Sequence, residues 1–195
     1  MKWVLVVLIV LGSTLCAAMD CTVPENGMYI TNNTRLCMSV YYLSKGLRIN
    51  TNNITLDCAG SVLKGDFKGR GIWIEHSSGV IVKNCHVVNH IIGIYVRNSS
   101  NIFLSDNHLI RNFEGIRLVD VENSTILGND VSVQKPFVSI ESKNNYVKFT
   151  NKKISEQDCG QNFCNVEREV LESRKPPEPE KPKNWLKDWL RSMLG

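Results

Sequence analysis

A period of 22 residues is the feature of this sequence that most constrains its fold. Three successive copies begin with the similar tetrapeptides Gly71-Ile72-Trp73-Ile74, Gly93-Ile94-Tyr95-Val96 and Gly115-Ile116-Arg117-Leu118. A fourth copy is predicted in the same register at residues 137–140, with phenylalanine in place of the glycine. A fixed period of this length is typical of a solenoid, because one unit cannot bury its own apolar face and must stack on its neighbours.

Alternating side chains within each copy predict β-strands. Ile72 and Ile74 are expected on one face of a strand, and Trp73 and Glu75 on the other. Turns rich in Gly, Asn, Asp and Ser separate the strands. Stacking then predicts two inward aliphatic columns, made of Ile72, Ile94, Ile116 and Val138, and of Ile74, Val96, Leu118 and Ile140. The same spacing predicts a ladder of side-chain amides inside a turn, formed by Asn107, Asn129 and Asn151.

The chain divides into a solenoid and shorter terminal segments. Residues 1–18 have the pattern of a secretory signal peptide, with Lys2 before an apolar run and small residues at the end. Residues 19–46 are expected to cap the solenoid, which spans residues 47–165. A charged, proline-rich linker at 166–183 precedes an amphipathic helix at 184–195, with Trp185 and Trp189 on its apolar face. The protein is therefore expected to be secreted, extracellular or at the cell surface, or periplasmic in a bacterium with two membranes.

The cysteines support an oxidising location. Of seven cysteines, Cys16 lies in the predicted signal peptide, and the remaining even number favours disulfides in an exported chain. Closeness in sequence favours the pairs Cys21–Cys37 and Cys159–Cys164. Cys58 and Cys85 are expected on adjacent coils, either bonded or as buried thiols. Four sequons provide candidate glycosylation sites at Asn32, Asn53, Asn98 and Asn123.

No metal or cofactor is expected, since the sequence has no CxxC spacing. The histidines are His76, His86, His90 and His108. Repeats place like residues in register, so stacking of turn residues explains them better than metal binding does.

The segment Asn52-Asn53-Ile54-Thr55-Leu56-Asp57-Cys58 and the repeated Gly-Ile-x-Ile motif resemble exported right-handed parallel β-helix proteins. This is the pectate-lyase-like superfold, in particular its NosD-type and its carbohydrate-binding and sugar-hydrolase repeats. The resemblance covers about residues 46–151. It implies an all-β chain that forms a short right-handed parallel β-helix of about five to six rungs, followed by the C-terminal amphipathic helix. The fold hosts lyases, hydrolases, binding modules and structural spikes, so it does not specify one function.

The outward positions of the repeat contain the candidate ligand-binding residues. Trp73, Tyr95 and Arg117 are predicted to form one outward column with Ser139, and Glu75 and Arg97 lie beside it. Sugar rings pack their apolar faces on aromatic side chains, and arginine bonds hydroxyl or uronate groups. The alternative is that the same side chains stack only to stabilise the sheet.

Three functions are compatible with this sequence. A net charge of +4 is too weak and dispersed to indicate nucleic-acid binding. The aspartates are scattered among predicted turns, at Asp57, Asp66, Asp106, Asp120 and Asp130, and they predict no acidic cluster, so no catalytic residue is assigned. The leading hypothesis is an exported, non-enzymatic module that binds a polysaccharide or glycan. The alternatives are a polysaccharide lyase or glycoside hydrolase, active or inactive, and an assembly protein whose C-terminal helix binds a protein partner or a membrane surface.

Overall fold

The computed structural model of the chain describes residues 21–165. The predicted signal peptide, the linker and the C-terminal amphipathic helix lie outside the described residues. Within the described range the chain is almost entirely β-structure, with one short helix. Within residues 21–165, no helix is long and apolar enough to span a membrane.

Sixteen strands and one helix follow each other along residues 34–164. They are β1 (Thr34–Arg35), β2 (Val40–Tyr42), β3 (Leu47–Ile49), β4 (Thr55–Asp57), β5 (Val62–Lys64), β6 (Arg70–Glu75), β7 (Ile81–Lys83), β8 (His86–Val88), β9 (Ile92–Ser100), β10 (Phe103–Ser105), β11 (His108–Ile110), β12 (Glu114–Glu122), β13 (Thr125–Ser132), β14 (Lys135–Ile140), β15 (Lys143–Phe149), α1 (Glu156–Cys159) and β16 (Gln161–Cys164).

The strands form three parallel sheets that run along a solenoid of about six turns. The first sheet contains β3, β6, β9, β12 and β14 in this order. The second contains β1, β4, β7, β10, β13, β15 and β16. The third contains β2, β5, β8, β11 and the end of β13. Strands β1 and β2 lie within the predicted cap region and already pair with β4 and β5 of the next coil.

The inward columns of the first sheet fill the interior. Ile72, Ile94 and Ile116 stack in one fully buried column, and Ile74, Val96 and Leu118 stack in the next. The glycine that starts each copy is required by this packing, since a Cβ at Gly71 or Gly115 would overlap a valine Cγ1 of the third sheet. The repeated Gly-Ile motif therefore reflects close packing between two sheets.

The fourth copy begins one residue earlier than predicted, 21 residues after the third instead of 22. Phe137 pairs with Ile116 and is buried, and Val138 pairs with Arg117. Val138 and Ile140 therefore do not continue the inward columns, and Pro136, not Phe137, takes the position of the glycine. The physical reason is the turn before β14, which has two residues where the preceding turn has three. A one-residue slip moves every side chain of a strand to the other face.

The amide ladder is present for two of its three predicted members. The Oδ1 atom of Asn129 accepts hydrogen bonds from the backbone amide of Asn107 at 3.1 Å and from its Nδ2 at 2.9 Å. The Nδ2 of Asn129 donates to the carbonyl of Leu104 at 2.9 Å. Asn151 is exposed and accepts from the amide of Val131, because the pairing of β13 with β15 shifts register before it.

Three disulfides connect Cys21 to Cys37, Cys58 to Cys85 and Cys159 to Cys164. The two local pairs predicted from the sequence are confirmed. The third pair, Cys58 and Cys85 on adjacent coils, forms a disulfide, so the alternative of two buried thiols is wrong. Three disulfides are consistent with an oxidising extracellular environment.

Loss of the Asn129 side chain should destabilise the solenoid more than loss of Asn151. The substitution Asn129→Ala leaves buried groups of Asn107 and Leu104 without partners, and each such group costs about 1–3 kcal/mol. We expect the free energy of unfolding to fall by about 2–4 kcal/mol, measured by urea denaturation. Asn151→Ala, at an exposed position, removes the acceptor of one buried amide, that of Val131, and is the matched control with a smaller expected loss of about 1 kcal/mol. Equal losses would contradict a structural role for the ladder.

His90 is a buried histidine in the turn between β8 and β9. Its side chain is 1% exposed, packs against Gly65, and makes no hydrogen bond of normal geometry through either ring nitrogen. Burial lowers the pKa of His90 and outweighs the neighbouring Leu63 and Lys68 carbonyl groups and Asp66, which favour protonation. The folded protein therefore favours the neutral imidazole.

Acidification should destabilise the fold through His90. Because the pKa of His90 is lower in the folded state, the folded protein binds fewer protons than the unfolded chain. Its contribution to stability is complete above the unfolded value of about 6.5 and is lost as the pH falls below it. We expect His90→Leu to flatten the dependence of the unfolding free energy on pH between about 7 and 5. The exposed His76→Gln serves as control, and an unchanged profile for His90→Leu would refute this assignment.

Candidate functional site

The outward column of the first sheet is longer than the sequence predicted. Backbone pairing aligns Trp73 with Tyr95 and Tyr95 with Arg117, as expected. On the N-terminal side it adds Arg48, which pairs with Trp73, and Tyr29, which pairs with Arg48. The sequence offsets of these two positions are 25 and 19 residues, so the period of 22 could not identify them. On the C-terminal side the column continues with Val138 and not with the predicted Ser139.

Arginine side chains cover the aromatic rings of this column. The guanidinium carbon of Arg70 lies 4.3 Å from the ring centroids of both Trp73 and Tyr95. That of Arg48 lies 4.9 Å from the centroid of Trp73, so two cations flank the indole ring. The two aromatic rings meet edge to face, with centroids 6.1 Å apart. We call the set Arg48, Arg70, Trp73, Tyr95 and Arg117 the arginine–aromatic strip.

Tyr95 contributes little surface to the strip. Its side chain is only 7% exposed, whereas Trp73 is half-buried. Cation–π contacts of this kind stabilise the sheet by about 0.5–2 kcal/mol each. This agrees with the alternative that these side chains stack to stabilise the sheet. The surface that a ligand meets is therefore composed of guanidinium groups and the accessible part of Trp73. A sugar-binding role for the predicted residues stays a prediction.

The charges along the strip are unevenly compensated. Arg97 forms an ion pair with Glu75 at 3.5 Å. Arg117 donates a hydrogen bond at 2.5 Å to Glu114, whose carboxylate is buried. Arg48 and Arg70 have no carboxylate partner within residues 21–165. Four arginines thus face two glutamates, and the excess positive charge is concentrated around Trp73.

A small cavity adjoins the uncompensated end of the strip. It has a volume of about 70 Å³ and is lined by Tyr29, Arg48, Ile49, Asn50, Trp73 and Glu75. This volume corresponds to about two water molecules, and it suits a small charged group better than a whole sugar ring. The Nε1 of Trp73 and the Nε atoms of Arg48 and Arg70 are buried without hydrogen-bond partners in the described structure.

Comparison with known families agrees with this architecture. The family model described as the right-handed β-helix region matches residues 9–167, which is more than half of the chain. The chain belongs to the right-handed β-helix family. This confirms the resemblance found in the sequence and gives the solenoid its handedness. No curated protein and no solved structure matches the chain.

A second polar site lies between the second and third sheets of the β-helix. A cavity of about 490 Å³ is lined by Arg35, Asp57, Ala59, Gly60, Asn84, His86, Asp106 and His108. His86 and His108 pair in register on adjacent strands, and their rings are tilted by 55° with centroids 4.6 Å apart. Among the described residues, no three His, Cys, Asp or Glu side chains are placed to hold a metal ion.

The cavity brings together charged groups that the sequence scattered over several turns. Burial acts to raise the pKa of Asp57, but a 3.0 Å hydrogen bond from Asn84, the backbone amide of Ala59 and the charge of Lys83 outweigh it, so this pKa is lowered. Burial and the neighbouring His108 lower the pKa of His86. The Nδ1 of His108 lies 3.5 Å from a carboxylate oxygen of Asp130. Asp57 and Asp106 belong to different coils. The sequence repeat does not predict that they line the same cavity.

The candidate glycosylation residues of the β-helix all lie in turns or at a strand end. Asn32, Asn53 and Asn123 are exposed. Asn98 is half-buried, with its Nδ2 atom 3.1 Å from the Nε2 atom of His76. Glycosylation of the four residues stays a prediction.

Proposed function

We propose that this β-helix is an exported module that binds acidic polysaccharides along the arginine–aromatic strip. The observation that carries the proposal is the position of Arg48 and Arg70. Their guanidinium groups flank Trp73 on the outer face, and neither has a carboxylate partner in the described part of the chain. A uronate or sulfate group provides the negative charge that this site lacks.

The chemistry of the strip suits anionic sugars. A guanidinium group donates two parallel hydrogen bonds to a carboxylate or sulfate, with stronger and more directional binding than a neutral donor. The rings hold Arg70 in place before a ligand arrives, so less side-chain freedom is lost on binding. The accessible part of Trp73 provides an apolar surface for a sugar ring.

The direction of the strip suits a linear polymer. Its members come from successive coils, whose strands are about 4.8 Å apart, so the strip runs along the solenoid axis. A polysaccharide aligned with this axis can place acidic groups near Arg48 and Arg70 and reach Arg117 further along. The three disulfides support an exported protein, in which such a ligand is accessible.

Neutralising either unpaired arginine should weaken binding. We expect Arg48→Gln and Arg70→Gln each to raise the dissociation constant for polygalacturonate by about 10–100-fold, as expected for a lost hydrogen bond between charged groups. The measurement is isothermal titration calorimetry, with a neutral glucan as the ligand control. Lys148→Gln, which removes a positive charge from the second sheet, should leave the dissociation constant unchanged.

Two outcomes would contradict binding at the strip. One is equal weakening by Lys148→Gln and by the two arginine substitutions, which would indicate a response to net charge alone. The other is wild-type affinity in the double variant Arg48→Gln/Arg70→Gln.

The second cavity favours an alternative function, hydrolysis of a polysaccharide. Asp57 and Asp106 line it together with two adjacent histidines, His86 and His108. Carboxylates and imidazoles are the usual acids and bases of glycoside and ester hydrolysis. The size of the cavity, about 490 Å³, is sufficient for a sugar unit.

A hydrolase should release new reducing ends from a panel of polysaccharides. We expect Asp57→Asn and Asp106→Asn to lower such an activity by about 100-fold or more, because each removes a candidate acid or base. Lys148→Gln is the control that leaves these carboxylates and the arginine–aromatic strip in place. Absence of released ends in the wild type would eliminate this alternative and leave the binding proposal untouched.

A further inference from the structure

A row of exposed apolar side chains follows one edge of the solenoid. Three successive turns connect the third sheet to the first, at residues 65–69, 89–91 and 111–113. Each turn directs one large apolar side chain outward: Phe67 is 62% exposed, Ile91 46% and Phe113 49%. We call these three residues the turn ridge. It lies beside the arginine–aromatic strip but shares no residue with it.

Positive charges surround the turn ridge. Lys45, Lys68, Arg111 and Lys135 are all exposed and lie on the same series of turns or at the following strand ends. The nearest carboxylate on these turns is Asp66, 3.9 Å from the Nζ atom of Lys68. The Nζ atom of Lys135 lies 5.4 Å from the ring centroid of Phe113. These turns and strand ends therefore carry four exposed cations and one exposed anion beside three exposed apolar side chains.

The backbone of Phe67 has a conformation that is unfavoured for an aromatic residue, and Ile91 and Phe113 lie two positions later in their turns. Phe67, Asn89 and Arg111 occupy corresponding positions with φ of 62°, 60° and 55°. Asparagine tolerates this left-handed conformation, whereas a bulky aromatic residue rarely adopts it. Hydrogen bonds between coils fix the turns, from the amide of Phe67 to the carbonyl of Asn89 at 2.6 Å and from that of Phe113 to the carbonyl of His90 at 3.2 Å. An exposed ring held in an unfavoured conformation gains nothing from burial, which indicates use at an interface.

We infer that the turn ridge binds the surface of an anionic lipid bilayer. The apolar tips enter the boundary between headgroups and acyl chains, and the surrounding cations contact the headgroup phosphates. This partner satisfies both parts of the surface, since a bilayer offers negative charge above an apolar layer. An acidic polysaccharide has no apolar interior to receive Ile91.

The shape of the ridge favours a membrane over a protein partner. A stable protein interface buries about 800 Å² on each partner and relies on a broad complementary surface. The ridge has one exposed apolar side chain per turn and extends over only three coils. A fluid bilayer adapts to such an edge without a preformed groove. The inference stands on these turns alone and is independent of glycan binding at the strip.

Co-sedimentation of the full chain with lipid vesicles tests the inference. One set of vesicles contains equal parts of phosphatidylcholine and phosphatidylglycerol, and the other contains phosphatidylcholine alone. We expect the wild type to bind the anionic vesicles, and Phe67→Ser/Phe113→Ser to lower the partition coefficient by about tenfold or more. Lys68→Gln/Arg111→Gln should remove most of the preference for anionic vesicles.

A matched control removes equally exposed apolar side chains elsewhere. Val23 and Met38 are 67% and 78% exposed and lie next to Cys37, between the second and third sheets and not between the third and the first. We expect Val23→Ser/Met38→Ser to bind vesicles as the wild type does. Circular dichroism shows whether each variant retains its β-structure. Any vesicle binding through segments outside the ridge is common to all variants and cancels in the comparison.

A fluorescent reporter at the ridge provides a second measurement that needs no loss of binding. Phe67→Trp should show a blue-shifted emission, relative to the wild type, when anionic vesicles are added, and quenching by brominated lipid. The inference would be overturned if the emission of the Phe67→Trp variant did not shift when anionic vesicles are added. It would also be overturned by wild-type binding of Phe67→Ser/Phe113→Ser, by an equal loss in the Val23/Met38 control, or by a ridge variant that loses polygalacturonate binding while it keeps vesicle binding.

Discussion

Parallel hydrogen bonding between successive coils is the constraint on which the rest of this structure depends. It fixes each residue of a strand beside its counterpart in the next coil, about 4.8 Å away. Apolar residues that recur in the sequence therefore become continuous columns, as Ile72, Ile94 and Ile116 do. The same constraint allows the buried side-chain amide of Asn107 to donate a hydrogen bond to the Oδ1 atom of Asn129. It leaves no space for a Cβ atom at Gly71.

The same pairing determines what the outer face presents. It places Arg48, Trp73 and Tyr95 on neighbouring strands, close enough for guanidinium groups and rings to stack. Arg70 then fills the space over both rings. The stack uses the ring faces and leaves positive charge without carboxylate partners around Trp73. The proposed specificity for acidic sugars follows from this charge, and the aromatic residues mainly position the arginines.

Much of the fold follows from the period, and the differences arise where the period is broken. The period predicts which side chains face inward in the second to fourth coils, because there residues 22 apart in sequence are also the residues that pair between parallel strands. It fails at Phe137, because the turn before this residue is one residue shorter and the larger ring is favoured inside the core. It also fails at Arg48, where the connection to Trp73 is three residues longer than the repeat.

The candidate sites are less predictable than the core, for a related reason. Arg70 precedes the repeated glycine at a position that holds Ile92 and Glu114 in the next copies, so comparison of copies gives no signal. Asp57 and Asp106 share a cavity that lies between two sheets. The repeat predicts only which residues stack in one column, so it gives no indication that residues of different columns line the same cavity. Side chains that are not repeated therefore require the three-dimensional structure.

A crystal structure of the protein with an acidic oligosaccharide, such as a galacturonate oligomer, tests the central claim most directly. The account predicts the sugar chain along the arginine–aromatic strip, with one carboxylate about 2.7–2.9 Å from guanidinium nitrogens of Arg48 or Arg70. An oligosaccharide bound in the cavity lined by Asp57 and Asp106, with the strip unoccupied, would contradict it.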